Sequence, residues 1–516
     1  MQLGCIRWLA TAALSCAATS AQAEWLKATS RHFQIYSNTS TESINTLATR
    51  LEQVDGALRR ISGIADGNGA AANPVTVYVL DGISDVQRLI QDSNVAGFYV
   101  GRASGAVAFT PRRGGNGQLD PQLVLFHEYS HHFLLAQSRI AYPAWLSEGY
   151  AEFVATARFP KEGVMIGAPA GHRAYGLLGT TGLPIRTLFA PGDRLSDIQT
   201  DQIYGRGWLL THYLFFGGKR RGQLATYLAA LDSGEAPITA AEKGFGDLKQ
   251  LNRELDAYLR QSKMSAASIP AEQLPPFTVD VRPLTRGERA LISMRIVSTR
   301  GVDTKTAKPL YARAAAAVAP FPTDATAQGW LAEMAYDAGD DAGAEAAADR
   351  ALAADPRSVQ ALLYKARVRL RPLVAASTPP GDKRWSEARS WIIKANRVDP
   401  DIAAPLLLYY DSFEMAKTPP SKSAIIGVHR AQELAPQDEG LRYRSARQLL
   451  IDGNIAVAKR TLRPLAFSPH APTGNPAARL IAMLDKGATG PAALAVLDAD
   501  AELENAKAGE GGKSTD

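Results

Sequence analysis

The pentapeptide His127-Glu128-Tyr129-Ser130-His131 has the residue types and spacing of a metal site on a helix. Two histidines four positions apart lie about 40° apart around a helix axis and about 6 Å apart along it, so both imidazoles can reach one ion. Glu128 would lie beside that ion, where it could take a proton from a water molecule. The spacing therefore predicts a zinc site with Glu128 as the general base.

The segment that carries this motif is predicted to be a largely buried helix. Asp120 can cap its start, and Pro121 suits the first helical position. Most of residues 123–135 outside the motif are apolar. A lone buried histidine is usually satisfied by a backbone carbonyl, but two at this spacing with a glutamate between them favour a metal.

A catalytic zinc ion needs a third protein ligand, and residues 145–153 can supply it. Tyr142-Pro143 indicates the start of a second helix, on which Glu148 and Glu152 lie four positions apart on one face. We expect Glu148 to bind the metal and Glu152 to accept a hydrogen bond from the second ring nitrogen of a ligating histidine. Paired glutamates alone more often form a solvated acidic face, and the preceding histidine motif favours ligation instead.

The two segments together resemble the gluzincin metallopeptidases, the peptidase MA-like superfamily that includes thermolysin and aminopeptidase N. The resemblance covers about residues 30–262 and is carried by His127-Glu128-Tyr129-Ser130-His131 and by Trp145-Leu146-Ser147-Glu148-Gly149-Tyr150-Ala151. It implies an α+β zincin-type metallopeptidase domain in which Glu148 is the third zinc ligand. It also implies that Glu152 supports a zinc histidine.

This sequence departs from the aminopeptidase pattern in two ways. The connection from His131 to Glu148, 16 residues, is shorter. The chain also lacks a Gly-x-Met-Glu-Asn segment, which in the aminopeptidases holds the free amino terminus of the substrate. Exopeptidase specificity is therefore not carried over, and internal cleavage and terminal cleavage both stay open.

A hydrolase also needs a donor for the oxyanion that develops on the attacked carbonyl. Family members often use a tyrosine or histidine from a later helix, which makes Tyr204 the candidate, with His212 and His172 as alternatives. The helix around Tyr204 is expected to open near Asp201 and to end at Gly217-Gly218.

Two further glycines lie inside this expected helix, at Gly205 and Gly207. Each costs a helix about 1 kcal/mol relative to alanine. We therefore expect another part of the chain to approach the backbone closely at this point.

The first residues predict export from the cytoplasm. A basic residue precedes an apolar stretch over residues 8–18, and Ala21-Gln22-Ala23 has the small-x-small pattern that signal peptidase cuts. We expect residues 1–23 to be removed, and processing as a lipoprotein at Cys16 is the alternative. Both cysteines lie in this leader, so the mature chain would contain no disulfide. A periplasmic or extracellular location follows.

The composition limits the partners and allows more than one core. Lys and Arg total 57 against 51 Asp and Glu, a net charge of +6, which becomes +5 when Arg7 is removed with the leader. This modest, dispersed charge does not indicate nucleic acid, and no run in the mature chain approaches the roughly 18 apolar residues of a membrane helix. With 516 residues, 46% of them hydrophobic, the chain can form two or more cores.

Residues 24–118 are predicted to form the N-terminal α+β lobe of the peptidase unit. A helical period over residues 44–61 separates strand-like runs at 32–37, 75–80, 96–100 and 106–110. Residues 119–262 are predicted to be the helical zinc-binding lobe. In gluzincins an edge strand beside the zinc pairs with the extended substrate, and residues 105–110 are our candidate for that strand.

The second half of the chain is predicted to be an all-α, TPR-like helical repeat domain. Residues 263–286, with four prolines and no helical period, are expected to be a linker. Residues 287–485 resemble a degenerate tetratricopeptide array, because packing residues from Trp330 to Pro356 fit one repeat and helix-ending proline pairs recur at intervals of 44, 36 and 33. An ordinary helical bundle is the alternative. Residues 486–516 are a terminal segment whose end is predicted to be disordered.

Two functions fit these features. The first is an exported zinc peptidase that hydrolyses a polypeptide by a metal-activated water with Glu128 as the base, and whose helical array could dock a protein partner on its concave surface. The alternative is a non-catalytic, peptide-binding scaffold with a peptidase-like domain. The complete set of His127, Glu128, His131 and Glu148 favours the enzyme, since a scaffold needs no base beside three ligands.

Overall fold

The computed structural model describes residues 24–65, 73–93, 95–114, 120–137, 140–192, 195–468 and 474–499. In these ranges the protein is mostly helical, with a small mixed sheet near the amino terminus and a helical region towards the carboxyl terminus. The predicted signal peptide, its alternative lipid site at Cys16 and residues 500–516 of the predicted terminal segment lie outside them. Residues 490–499, in the predicted terminal segment, are helical.

The strands form one larger and one smaller sheet. Their bounds are β1 Trp25–Thr29, β2 Phe33–Asn38, β3 Val75–Leu80, β4 Phe98–Val100, β5 Val107–Pro111, β6 Gly163–Ile166, β7 Ala267–Pro270 and β8 Asp280–Pro283.

The helices follow the strands along the chain and dominate its second half. Their bounds are α1 Thr41–Ser62, α2 Ile83–Ile90, α3 Pro121–Gln137, α4 Ala144–Ala155, α5 Ala174–Leu178, α6 Ile185–Phe189, α7 Asp197–Phe216, α8 Gln223–Asp232, α9 Pro237–Phe245, α10 Leu248–Leu259, α11 Arg286–Arg300, α12 Thr304–Val318, α13 Ala325–Asp337, α14 Asp341–Ala354, α15 Val359–Ala375, α16 Lys383–Val398, α17 Ala403–Met415, α18 Lys422–Leu434, α19 Glu439–Ile451, α20 Ile455–Ala466 and α21 Pro476–Asp485. Among these described helices, none is long and apolar enough to cross a membrane.

The larger sheet has the strand order β4-β5-β3-β2-β1-β8. Strands β2, β3 and β5 run parallel, whereas β4, β1 and β8 each pair with their neighbours in antiparallel fashion. The expectation that residues 105–110 form the edge strand is wrong, because β5 is bonded on both sides and β4 lies at the edge. Every residue of β5 is buried, as is typical of an interior strand.

A row of aromatic side chains crosses one face of this sheet. Tyr36, Tyr78, Phe109 and Phe98 occupy paired positions on four neighbouring strands, and their ring centroids are 5.2, 5.5 and 4.5 Å apart in that order. Offset stacks and cross-strand aromatic pairs at these separations stabilise a sheet. The row extends as far as the edge strand and so helps to hold β4 in place.

Both faces of the sheet are covered. Helices α1 and α3 pack against one face, and the other face, which carries the aromatic row, packs against α11 and α13. Trp330 of α13 makes an edge contact with Tyr36 at 6.2 Å between ring centroids. The first helices of the carboxyl-terminal region are therefore a layer of the same core as the sheet.

The segment expected to be a linker, residues 263–286, instead contains two paired strands. Strand β7 pairs with β6 to form the smaller sheet, and β8 pairs with β1 at the second edge of the larger sheet. Pro270 and Pro283 end these strands. Proline is tolerated at strand ends on an edge, because no partner there needs its missing N–H.

The helical region also contacts the loop between β4 and β5. The backbone N–H of Ala103 donates to Oδ2 of Asp438 over 2.7 Å, and the Ala103 side chain is buried among residues of α17, α18 and α19. Arg102 donates to the carbonyl oxygens of Thr299 and Arg300 over 2.7 and 2.9 Å. Part of the helical region is thus occupied by the protein's own edge-strand loop.

Helix α7 crosses α4 at Gly207 and Gly149, so the close backbone approach expected in α7 is present at Gly207, whereas Gly205 faces the side chains of Leu177 and Arg173. A Cβ on Gly207 would collide with the carbonyl oxygen of Trp145 in α4, and one on Gly149 would collide with the backbone of Gly207. The helix begins at Asp197, earlier than predicted, because Ser196 and Gln199 form a capping box. It ends at the expected Gly217. The crossing sets how close the two helices can lie.

We predict that Gly207→Ala lowers the free energy of unfolding by about 1 to 3 kcal/mol, because the added methyl group overpacks the α4–α7 crossing. Urea denaturation followed by circular dichroism measures this change. Gly205→Ala is the matched control, since its Cβ would lie 3.1 Å from Cγ of Leu177, a side chain that can move. Equal stability of Gly207→Ala and the wild type would contradict the predicted crossing.

Candidate metal centre

The candidate ligands lie on two consecutive helices, α3 and α4. Helix α3 starts as predicted, with Pro121 as its first residue and Oδ1 of Asp120 accepting a hydrogen bond from the Gln122 N–H over 2.9 Å. Helix α4 begins at Ala144, directly after Pro143, and its residues from Trp145 onward are all buried. The two helices pack against each other, so side chains on their facing sides can meet.

The structure brings His127, His131 and Glu148 together. The two Nε2 atoms are 3.2 Å apart, and Oε2 of Glu148 lies 3.3 Å from Nε2 of His127 and 3.6 Å from Nε2 of His131. Ligands at zinc–nitrogen and zinc–oxygen bond lengths in a tetrahedral site are separated by about 3.4 Å. The three atoms therefore already lie at the corners of one face of such a tetrahedron, and the residues fit a zinc ion.

Burial and charge support the same fit. The Glu148 side chain is only 2% exposed, and burying a carboxylate is costly unless a positive charge is close. Burial by itself lowers the pKa of His127, but the nearby carboxylates of Glu148 and Glu152 outweigh it and raise this pKa to about 10. A divalent cation would supply the positive charge in place of that proton.

The second ring nitrogen of each histidine also has a neighbour. Nδ1 of His127 lies 3.4 Å from Oε1 of Glu152, and Nδ1 of His131 lies 3.2 Å from the hydroxyl oxygen of Ser147. Contacts of this kind fix the ring orientation and leave Nε2 for the metal. The position of Glu152 agrees with its predicted supporting role, whereas Ser147 had not been singled out in the sequence.

Glu152 is fully buried and is held by two further basic side chains. Nε2 of His172 lies 2.5 Å from Oε2, and Nη2 of Arg173 lies 2.7 Å from Oε1. Burial opposes ionisation of Glu152, but the hydrogen bonds from His127, His172 and Arg173 outweigh it and hold its pKa far below the ordinary value. His172, an alternative oxyanion donor in the sequence, is thus placed behind His127 as a partner of Glu152.

Tyr204 lies against the same site from helix α7. Its ring is nearly parallel to that of His127, with 6.0 Å between centroids and 11° between planes, and the Arg173 guanidinium lies 4.7 Å from its centroid. Burial and the negative charge of Glu148 raise the pKa of Tyr204 well above the ordinary value. The hydroxyl therefore keeps its proton at neutral pH and can act as a donor.

The other alternative donor, His212, is a core residue. Its Nδ1 lies 2.9 Å from the Tyr258 hydroxyl, and its Nε2 contacts the carbonyl oxygens of Gly167 and Ser265 at 3.1 and 2.9 Å. Burial lowers its pKa. Both ring nitrogens are engaged within the fold, so His212 is not part of the site.

Glu128 lies on α3, directly after the candidate ligand His127. Burial raises the pKa of Tyr99 in β4 well above its ordinary value, and the negative charge of Glu128 adds to this rise. The Tyr99 hydroxyl lies 2.6 Å from Nδ1 of His132 and ties β4 to α3. Glu128 is half-buried, as suits a group that must meet both a water molecule and a substrate.

A second group, His32, Glu52 and Asp55, also has its potential ligand atoms within 4.8 Å of one another. These carboxylates already accept hydrogen bonds. Glu52 accepts from the backbone N–H of His32, and Asp55 accepts from Arg59 and from the Tyr129 hydroxyl. With basic side chains already beside both carboxylates, the group fits a buried ionic core behind α3 better than a metal site.

A cavity of about 970 Å³ opens beside the candidate metal centre, with Glu148 and Tyr204 in its lining. Its volume is at the upper end of the range typical of ligand pockets.

A comparison with models of known protein families gives no match to this chain, and a comparison with curated protein sequences gives none either. The interpretation of the site therefore rests on the residues and their geometry.

We predict that Glu152→Gln weakens zinc binding roughly 10- to 100-fold, because His127 loses the charged partner that orients its ring. Competition with a fluorescent zinc chelator measures the affinity. Glu242→Gln is the matched control, as it removes the same charge from an exposed ion pair with Arg186. If Glu152→Gln bound zinc as tightly as the wild type, the prediction that Glu152 supports a metal ligand would be wrong.

Proposed function

We propose that the protein is a zinc-dependent peptidase of the gluzincin type, with His127, His131 and Glu148 as the zinc ligands. One observation carries the proposal. Three donor atoms from two helices lie 3.2 to 3.6 Å apart in a buried site, at the separations expected for ligands of one tetrahedral ion. A base candidate, Glu128, follows the first ligand directly.

The residues around the proposed zinc site would have separate roles in hydrolysis. When bound, zinc lowers the pKa of a water molecule and polarises a carbonyl. Glu128 takes the proton of the attacking water and later gives it to the leaving amine. Tyr204 donates a hydrogen bond to the oxyanion that develops on the carbonyl oxygen. Arg173, between Glu152 and the Tyr204 ring, positions both.

The substrate would lie along strand β4. Among the described strands none pairs with the outer side of β4, and an extended peptide can add to such an edge as a further strand. Tyr99 of β4 contacts His132 of α3, so a peptide added at this edge would lie near the helix that carries Glu128. In gluzincins the corresponding strand has this role.

The finer fold assignments belong to the same proposal. Residues 30–262 would form a zincin-type unit, and residues 287–485, from α11 to α21, would form a tetratricopeptide-like array. We also propose that the protein is exported to the periplasm or the extracellular space. This is inferred from the leader pattern alone.

The alternative of a non-catalytic, peptide-binding scaffold uses the same site without turnover. It would need neither Glu128 beside the ligands nor a protonated tyrosine facing them. Hydrolysis that is lost on chelation and restored by zinc separates the two functions. Zinc-loaded protein that cuts no member of a broad peptide library would favour the scaffold.

We predict that Glu128→Gln lowers kcat by about 10²- to 10⁴-fold while zinc content stays at the wild-type level, because it removes the base but no ligand. Turnover of a quenched-fluorescence peptide library and metal analysis of the same preparation measure both. Glu272→Gln, at an exposed position, is the control. Full activity of Glu128→Gln would refute this assignment of the base.

We predict that Tyr204→Phe lowers kcat by about 10²- to 10³-fold with little change in zinc affinity, since only the oxyanion donor is lost. Steady-state kinetics on a peptide found in the library measure the effect. Tyr175→Phe is the matched control, because Tyr175 is 73% exposed. An unaltered kcat would mean that another group stabilises the oxyanion.

A further inference from the structure

The cavity beside the candidate metal centre has two walls that come from segments far apart in the sequence. One wall is formed by α8, the start of α9 and residues around α6 and α7. The other is formed by α20 and α21 of the helical region, with Arg463, Phe467, Ala478 and Ile481 in the lining. Because Glu148 and Tyr204 line the same cavity, the space is continuous with the candidate metal centre.

An ion pair joins the two walls. Nη1 of Arg463 in α20 lies 2.5 Å from Oδ1 of Asp232 at the end of α8, and it also donates to the backbone carbonyl of Asp232. Arg463 is largely buried, with a side-chain exposure of 15%. The pair keeps the end of the helical region beside the metal centre, although these residues are 231 positions apart.

Apart from the proposed zinc ligand Glu148, the charged groups in this lining are paired within the protein itself. Asp232 is paired with Arg463, Glu235 is paired with Lys243 over 2.5 Å, and Asp485 is paired with Lys459. A bound side chain would therefore find no uncompensated charge on these groups. Selection by charge is weak in such a cavity, and selection by apolar contact is favoured.

The rest of the lining is mainly apolar on both walls. Leu188, Phe189, Ile203 and Leu231 face the cavity from the first wall. On the second wall Phe467 is 53% exposed, so part of its ring is left open at the cavity. Covering it with another apolar group would gain free energy.

We propose that α20 and α21 form the second wall of the substrate cleft, and that this cleft selects extended polypeptide segments with bulky apolar side chains. Cleavage of the bound segment rests on the proposed peptidase function, whereas its binding in the cleft does not. The volume of about 970 Å³ accommodates several side chains of an extended chain. A folded domain does not fit within it.

Peptide binding to the full chain in the Glu128→Gln background tests this proposal without interference from cleavage. Two fluorescent ten-residue peptides serve as probes, one with Leu and Phe at four alternating positions and one with Ser and Gln there. Fluorescence anisotropy gives the dissociation constants for zinc-loaded protein. We expect the apolar peptide to bind at least ten-fold more tightly than the polar one.

Two variants of the second wall are then compared with the parent protein. Phe467→Ser and Ala478→Glu should each weaken binding of the apolar peptide about ten-fold, with zinc content and thermal unfolding unchanged. Ile451→Ser is the matched control, because Ile451 is 50% exposed at the end of α19 and lies outside the cavity lining. It should bind like the parent.

The outcomes test the cleft proposal and the peptidase proposal separately. Equal affinity for both probes, or parent-like binding by both wall variants, would overturn the cleft. If wild-type protein cut the apolar probe while the wall variants bound it normally, the peptidase would stand and the cleft proposal would fall. If the expected binding pattern appeared without cleavage by the wild type, the cleft would stand and the peptidase proposal would fall.

Discussion

The buried carboxylate of Glu148, held between two imidazoles, is the constraint on which the rest of the site depends. A negative charge at 2% exposure requires positive charge beside it, and the surrounding groups alternate in sign accordingly. His127 lies between Glu148 and Glu152, and Arg173 then lies between Glu152 and Asp201, 2.7 Å from an oxygen of each. In a low-dielectric interior such a chain of opposite charges holds each member in one position. A divalent cation at its end would complete the series.

Two further elements, helix α7 and strand β4, are positioned by packing contacts of their own. The glycine crossing of α4 and α7 lets the two backbones lie close, and this places Tyr204 against His127. The aromatic row of the sheet and the hydrogen bond between Tyr99 and His132 hold β4 against α3, the helix that carries Glu128. The proposed base and the proposed oxyanion donor thus come from elements that are fixed by separate packing contacts.

The helical second half of the chain contacts the first half at three places. Helices α11 and α13 cover one face of the sheet, α17 to α19 enclose the loop that follows β4, and α20 meets α8 through Arg463. A helical region that encloses the chain's own loop in this way offers less surface to a separate protein partner. The contacts favour a helical region that shapes the proposed reaction site.

The local sequence determined the elements with a strong pattern. Helices α1, α3 and α4 and strands β2 to β5 lie close to the predicted positions, because hydrophobic period, caps and prolines act over a few residues. The convergence of His127, His131 and Glu148 was also predictable, since helical spacing puts the histidines on one face and a short connection returns the chain.

Only the tertiary structure decided which strand lies at the edge, how residues 263–286 pair, and that Arg173 and Ser147 join the site. These outcomes depend on contacts between residues far apart in sequence, to which local periodicity does not respond. The cleft wall formed by α20 and α21 is the most distant case. No local pattern relates Arg463 to Asp232, and their meeting follows from the path of the whole helical region.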